Sequence, residues 1–178
     1  MFRIILIYGV IGGLIVGTPM LAEMVLWSGE PMRQGGLVLG YATMLIALST
    51  VFLGVKQHRD KALGGVIKFL PALLVGLGIS LVAGVFYVAA WDLSLAITHM
   101  DYMSAYAQSA IAAQKAKGVS GAQLDAFSAQ MNQMVESYKQ PLYRWAVTFI
   151  EIFPVGVLIS LISAALLRNS RFMPARKT

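Results

Sequence analysis

Glu151 is the residue with the most chemical potential in this chain. It lies inside a stretch from Trp145 to Leu167 that carries no other charge, and Pro154 follows three residues later. A charged carboxylate in the middle of an apolar helix costs ~2.5–3.5 kcal/mol on insertion scales, so it must face the bundle, be protonated or be paired. Proline lacks a backbone N–H, which leaves the carbonyl of Ile150 without its helical donor. A carboxyl beside a free carbonyl can coordinate a cation, hold water or relay a proton. The first apolar stretch repeats the arrangement: Pro19 frees the carbonyl of Ile15, and Glu23 follows one turn later. Tyr41, Thr43, Tyr87 and Asp92 belong to neighbouring stretches at comparable depth. Glu151, Pro154, Tyr41, Thr43, Tyr87, Glu23 and Asp92 therefore form a candidate intramembrane polar site that opens outward. The plainer alternative is structural and carries more weight: Glu151 hydrogen-bonded to Tyr41, Tyr87 or Thr43, or paired with Arg33 or Arg144, and Glu23 and Asp92 as interfacial acids.

A second candidate is the loop Lys56-Gln57-His58-Arg59-Asp60-Lys61. Lys56, Arg59 and Lys61 are placed to contact anionic lipid head groups, although such a loop also serves simply to set topology. The chain has no cysteine, which excludes disulfides, thiolate metal sites and cysteine nucleophiles. Its two histidines, His58 and His99, fall on opposite sides of the inferred topology and match no ligand spacing. No nucleophile elbow, P-loop or HExxH is present. The expectation is a protein that is not an enzyme, with no metal and no cofactor.

The elements that hold these residues are apolar. Hydrophobic residues make up 58% of the 178 and charged residues only 12%, about half the usual charged share of a soluble domain. A water-soluble fold of this length has no interior large enough for so much apolar surface. Four long apolar runs predict an all-α polytopic membrane protein, with spans at about 4–26, 37–55, 67–91 and 143–167, each long enough to cross a bilayer. The first run is too long for the core of a signal peptide and reads as a retained helix. A basic tail, 168–178, ends the single membrane domain 1–178.

Lysine and arginine in the flanks set the orientation. Arg3, Lys56, Arg59, Lys61, Lys68, Arg168, Arg171, Arg176 and Lys177 would share one side, and Arg33, Lys115, Lys117, Lys139 and Arg144 the other. Both termini and the loop after Lys56 should therefore be cytoplasmic. The Ser28–Gly36 loop and the segment of about 100–140 should face outward. Trp27, Trp91 and Trp145, all at outward span ends, fit an interfacial belt. The net charge of +6 comes from these flanks, and nucleic acid is not an expected partner.

Within the outward segment, Met103, Tyr106, Ala110 and Ala113 recur at helical spacing. Leu124, Phe127, Met131, Met134 and Tyr138 do so after a Gly118-Val119-Ser120-Gly121 break. This predicts a helical hairpin with Ser120 as the N-cap of its second helix. It either prolongs spans three and four or lies on the lipid surface. Each span also carries small residues that permit close backbone approach: Gly9, Gly13 and Gly17; Gly36, Gly40, Ala47 and Gly54; Ala72, Gly76, Ser80 and Gly84; Gly156, Ser160 and Ala164. Such stripes build a tight bundle within one chain or, as the sharper alternative, a homo-oligomer or a membrane-protein complex.

Gly40 to Ala47, Gly54-Val55-Lys56, Arg59-Asp60, Gly65 to Phe69, Tyr87 to Trp91, Glu151 to Gly156 and Ile159 to Ala164 resemble the bacterial domain-of-unknown-function 4199 family of small four-span membrane proteins. The resemblance covers most of the chain. It implies a bacterial inner-membrane protein and brings no activity with it. Taken together, the residues favour a non-enzymatic accessory, assembly or envelope-associated factor acting by helix packing. The alternative is a small oligomeric transporter or ion-conducting protein that uses Glu151 beside the proline break.

Overall fold

The computed structural model describes residues 1–26 and 36–175. Trp27, Arg33, Arg176, Lys177 and most of the Ser28–Gly36 loop lie outside them. Among the described residues the chain is all-α with no strand. The helices are α1 (Phe2–Leu26), α2 (Gly36–Gln57), α3 (Phe69–Thr98), α4 (Tyr102–Ala116), α5 (Ala122–Tyr138) and α6 (Pro141–Leu167), with a π-helical turn, His58–Ala62, closing α2. The helices α1, α3 and α6 are long and apolar enough to cross a membrane, so the chain is a multi-pass membrane protein. The second apolar run forms α2, a helix of 22 residues that packs against α1, α3 and α6.

Side-chain neighbours fix the directions. Gly9, Gly13 and Gly17 lie against Val82, Phe86 and Ala90, so α1 and α3 run parallel. Gly12 faces Thr50, and Gly54 faces Tyr8, so α2 runs against them. Gly76 faces Ser160, and Gly156 faces Ser80, so α6 is antiparallel to α3. The N-terminus, the π-turn and the C-terminal end of α6 therefore gather at one end of the bundle, and the α4–α5 hairpin stands at the other.

Small residues do the packing that lipid gives large ones no reason to do. A Cβ on Gly13 would sit 2.3 Å from the Cβ of Phe86, which shows how closely α1 and α3 approach. The α3–α6 seam is reciprocal, with each serine filling the space left by the other helix's glycine. Ser80 and Ser160 stand 3.2 Å apart, and each hydroxyl donates back to the carbonyl of its own helix's glycine, Gly76 at 3.0 Å and Gly156 at 2.7 Å. The stripe on α1 is thus occupied by α3 of the same chain. Ala47, Val51, Val55, Ala72, Val75 and Ile79 form the fully buried centre.

Both internal prolines leave their helices continuous: α1 runs through Pro19 and α6 through Pro154. Pro154 frees a carbonyl without interrupting the helix. The third span is longer than the sequence suggested. It runs to Thr98 and ends at His99, in the left-handed region at φ 51°.

The hairpin exists, with its details shifted. Met103 and Ala107 of α4 are buried with Met131 of α5. The α4 seam thus passes through Ala107, and Tyr106 and Ala113 point away. Lys117 ends α4 in a Schellman closure, in which Gly118 N–H donates to the Lys115 carbonyl and Val119 N–H to that of Gln114, with Gly118 at φ 85°. The N-cap of α5 is Gly121 rather than Ser120. Its φ of 60° and ψ of −146° belong to a region open essentially to glycine alone.

Candidate functional site

Two polar clusters emerge, one at each end of the bundle. At the hairpin end, α3 and α6 supply the residues that the sequence singled out, and the α4–α5 hairpin supplies partners that it did not. The buried Tyr87 hydroxyl donates to Glu151 Oε2 at 3.3 Å. Glu151 itself is exposed on the outer side of α6, on the same side as Ile150, Pro154 and Leu158. Asp92 lies one level higher, where it accepts from Arg144 Nε at 2.7 Å and from Trp145 Nε1. An interfacial acid is thereby paired within the chain.

The hairpin is fastened directly above. Trp91 Nε1 donates to the Tyr138 hydroxyl at 2.6 Å, and the Trp91 ring meets Tyr102 edge-on with centroids 4.8 Å apart. Tyr138 also shares a hydrogen bond with Thr148, a buried residue of α6, and the Arg144 guanidinium lies over the Tyr138 ring at 6.0 Å. Burial raises the phenol pKa of Tyr102, with the charge of Glu151 acting in the same direction. Burial likewise raises that of Tyr138, against the hydrogen bonds from Trp91 and Thr148. Both phenols therefore stay protonated. A shallow cleft of about 260 Å³ opens over this cluster, lined in part by Leu95, His99, Tyr102, Tyr138, Lys139 and Arg144. Neither Glu151 nor Tyr87 is among its lining residues.

The seven-residue pocket is therefore only partly assembled. Glu151 and Tyr87 are joined, with Pro154 on the same helix. Asp92 belongs to the separate Arg144–Trp145 pair. Tyr41 is exposed and Glu23 half-buried. Thr43 comes to the depth of Glu151 through the parallel register that also sets Leu48 beside Gly156 and Arg59 beside Leu167. Among the described residues no group of three metal-ligating side chains converges. Asp101 instead caps α4, accepting from Ser104 N–H at 3.2 Å and Ser104 Oγ at 2.7 Å.

At the other end, one expectation is overturned. Arg59, placed by its sequence at the lipid head groups, is fully buried. Its guanidinium binds Asp60 Oδ1 at 2.7 Å and donates to the carbonyls of Phe172 at 2.9 Å and Met173 at 2.5 Å, with Leu167 at 3.5 Å. The reason is the chain leaving α6: the Leu167 carbonyl at its end and the tail carbonyls of Phe172 and Met173 have no helical donor. A guanidinium offers five N–H groups in a fixed fork to satisfy them. Lys56 is half-buried and paired with Asp60, and Lys61 alone of the three is exposed. Burial pushes the Asp60 carboxyl up, but hydrogen bonds and charge from Arg59 and Lys56 outweigh it and hold the pKa below its ordinary value. His58, beside them, is buried with Nδ1 unpartnered, and burial followed by the charge of the N-terminus lowers its pKa.

Neither a curated protein nor a solved structure matches the chain. The profile of a family described as a protein of unknown function, DUF4199, matches residues 7–169, which takes in most of α1, all of α2 to α6 with the hairpin, and the Arg59 cluster apart from Phe172 and Met173. The chain belongs to the DUF4199 family.

Proposed function

We propose that this is a four-span protein of a bacterial inner membrane with both termini cytoplasmic, and that α2 is the fourth crossing. It acts as a non-enzymatic accessory or assembly factor that presents the α4–α5 hairpin to a partner on the outer side. The observation that carries this reading is the root of the hairpin. The Trp91–Tyr138 bond and the nearby Asp92–Arg144 pair tie α5 and the start of α6 to the end of α3. The hairpin therefore keeps a fixed pose on the membrane helices instead of swinging on a loop. The interior beneath it is filled by small and apolar side chains, which suits a scaffold. The asymmetry of lysine and arginine supports the orientation.

The test is photo-crosslinking in cells from Tyr106, which is exposed on α4, with a second probe at Ala62 in the π-turn. A single discrete adduct from the hairpin probe alone is expected. Adducts of equal pattern from both probes, or none from the hairpin, would contradict the reading. The Tyr87–Glu151 bond favours a second reading, a small oligomeric transporter or ion-conducting protein. It predicts proton- or cation-dependent flux in proteoliposomes that Glu151→Gln abolishes.

A further inference from the structure

We infer that the end of the bundle formed by the π-turn and the returning C-terminal tail is a binding surface for anionic phospholipid head groups, and that Arg59 builds this surface from inside without contacting the lipid. Three observations meet here. The tail turns back under the bundle: Arg59 holds the carbonyls of Phe172 and Met173, the Phe172 ring packs edge-on against Phe52 with centroids 6.4 Å apart, and the Ala175 Cβ lies 3.3 Å from where a Cβ on Gly65 would stand. This fixes Arg168 and Arg171 at the same end of the bundle as Lys61, Lys68 and Arg3.

The charge at this end is also unbalanced. Asp60 is the one acid there among the described residues, and it is already taken by Lys56 and Arg59. Arg3, Lys61, Lys68, Arg168 and Arg171 are all exposed, and none of them forms an ion pair among the described residues. Finally, these five flank the ends of α1, α2, α3 and α6, where apolar helix gives way to head groups. Phosphodiesters of acidic lipids reach such a rim directly, and each Lys or Arg near the surface is worth roughly a fivefold gain in binding. The inference rests on the membrane reading but not on any role for the hairpin, so it stands or falls separately from the crosslinking result.

The experiment uses the full chain in symmetric nanodiscs and mild detergent. Retention of phosphatidylglycerol against phosphatidylcholine is measured by native mass spectrometry. Wild type is expected to prefer phosphatidylglycerol, and Lys61→Gln/Lys68→Gln/Arg168→Gln/Arg171→Gln is expected to lose roughly tenfold or more of that preference. Lys115→Gln/Lys117→Gln at the hairpin tip should leave it intact. Should the fourfold variant fail to fold, Arg168→Gln/Arg171→Gln reads the same effect at lower amplitude. Equal retention of both lipids by wild type, an unchanged preference in the variants, an equal loss in the hairpin-tip control, or full displacement of the lipid by soluble polyphosphate would each overturn the inference.

Discussion

The Arg59 guanidinium donates to the backbone carbonyl of Phe172 at 2.9 Å, and through that bond a buried cation from the end of α2 fastens the chain that follows α6. Removing the guanidinium strands the tail carbonyls of Phe172 and Met173 and takes one of its two cationic partners from Asp60. Breaking a buried charged group out of its partners typically costs ~3–5 kcal/mol. Arg59→Gln should lower the melting temperature in detergent and open the tail to protease near Phe172. Arg59→Lys should rescue little, because a point-charge ammonium cannot span the carbonyls that the planar fork reaches. Full rescue by lysine would show that charge alone matters.

The tightest helix contact gives a second expectation. A methyl on Gly13 would lie 2.3 Å from the Phe86 Cβ, whereas one on Gly40 would meet nothing within 4 Å. Gly13→Ala should therefore destabilise by ~1–3 kcal/mol through overpacking. Gly40→Ala should be neutral or stabilising by up to about 1 kcal/mol, as alanine is the better helix former. Thermal unfolding of both variants in one detergent compares them. The same stability loss in both would place the close α1–α3 approach in doubt.

His58 gives a pH dependence with a definite sign. Burial and the N-terminal charge hold its pKa below the ordinary 6.5, so the folded state binds fewer protons than the unfolded state. Its contribution to stability is present above pH 6.5 and is lost as the pH falls through the lowered folded value. The carboxyl of Asp60, also lowered, adds a loss of the same sign at more acidic pH. Proteolysis of the tail should accelerate below pH 6.5, and His58→Gln should flatten that first limb while leaving the more acidic one. A tail that loosens instead as the pH rises would reverse the assignment.

Much of this architecture is legible in the sequence, and the parts that are not have physical causes. Four apolar runs, the hairpin and the small-residue stripes follow from periodicity and from the demands of lipid. The Tyr87–Glu151 contact follows from depth matching along antiparallel helices. The burial of Arg59 does not, because a Lys/Arg-rich loop beside a span reads as exposed unless the fold supplies unsatisfied carbonyls to receive a cation. The one trace of it is Phe172, the single aromatic in the tail after α6. The Trp91–Tyr138 bond was hidden in the same way, since each residue already had a sufficient local reason, one as an interfacial tryptophan and the other as a seam position. Asp92 was grouped with Glu151 on depth, but helical rotation sends it to Arg144 instead.

That pair anchors the hairpin and supplies a fourth expectation. Asp92 serves both Arg144 and Trp145, so Asp92→Asn removes the charge that holds Arg144 in place. Partly exposed ion pairs are worth little, ~0–1 kcal/mol, so global stability should barely change. Amide exchange should nonetheless rise in α4, α5 and the first turns of α6, with α1 and α2 unaffected. Uniform acceleration across all helices would mean that the pair supports the bundle rather than the hairpin.

Topology bears most directly on the whole reading, and the cysteine-free sequence makes it accessible to single-cysteine labelling. Ser120, between α4 and α5, and Ala62, in the π-turn, are both exposed and lie at opposite ends of the bundle. In intact spheroplasts a membrane-impermeant maleimide is expected to label Ser120→Cys at once and Ala62→Cys only after permeabilisation. Labelling of both before permeabilisation, or of Ala62→Cys alone, would contradict a four-span protein with its hairpin outside.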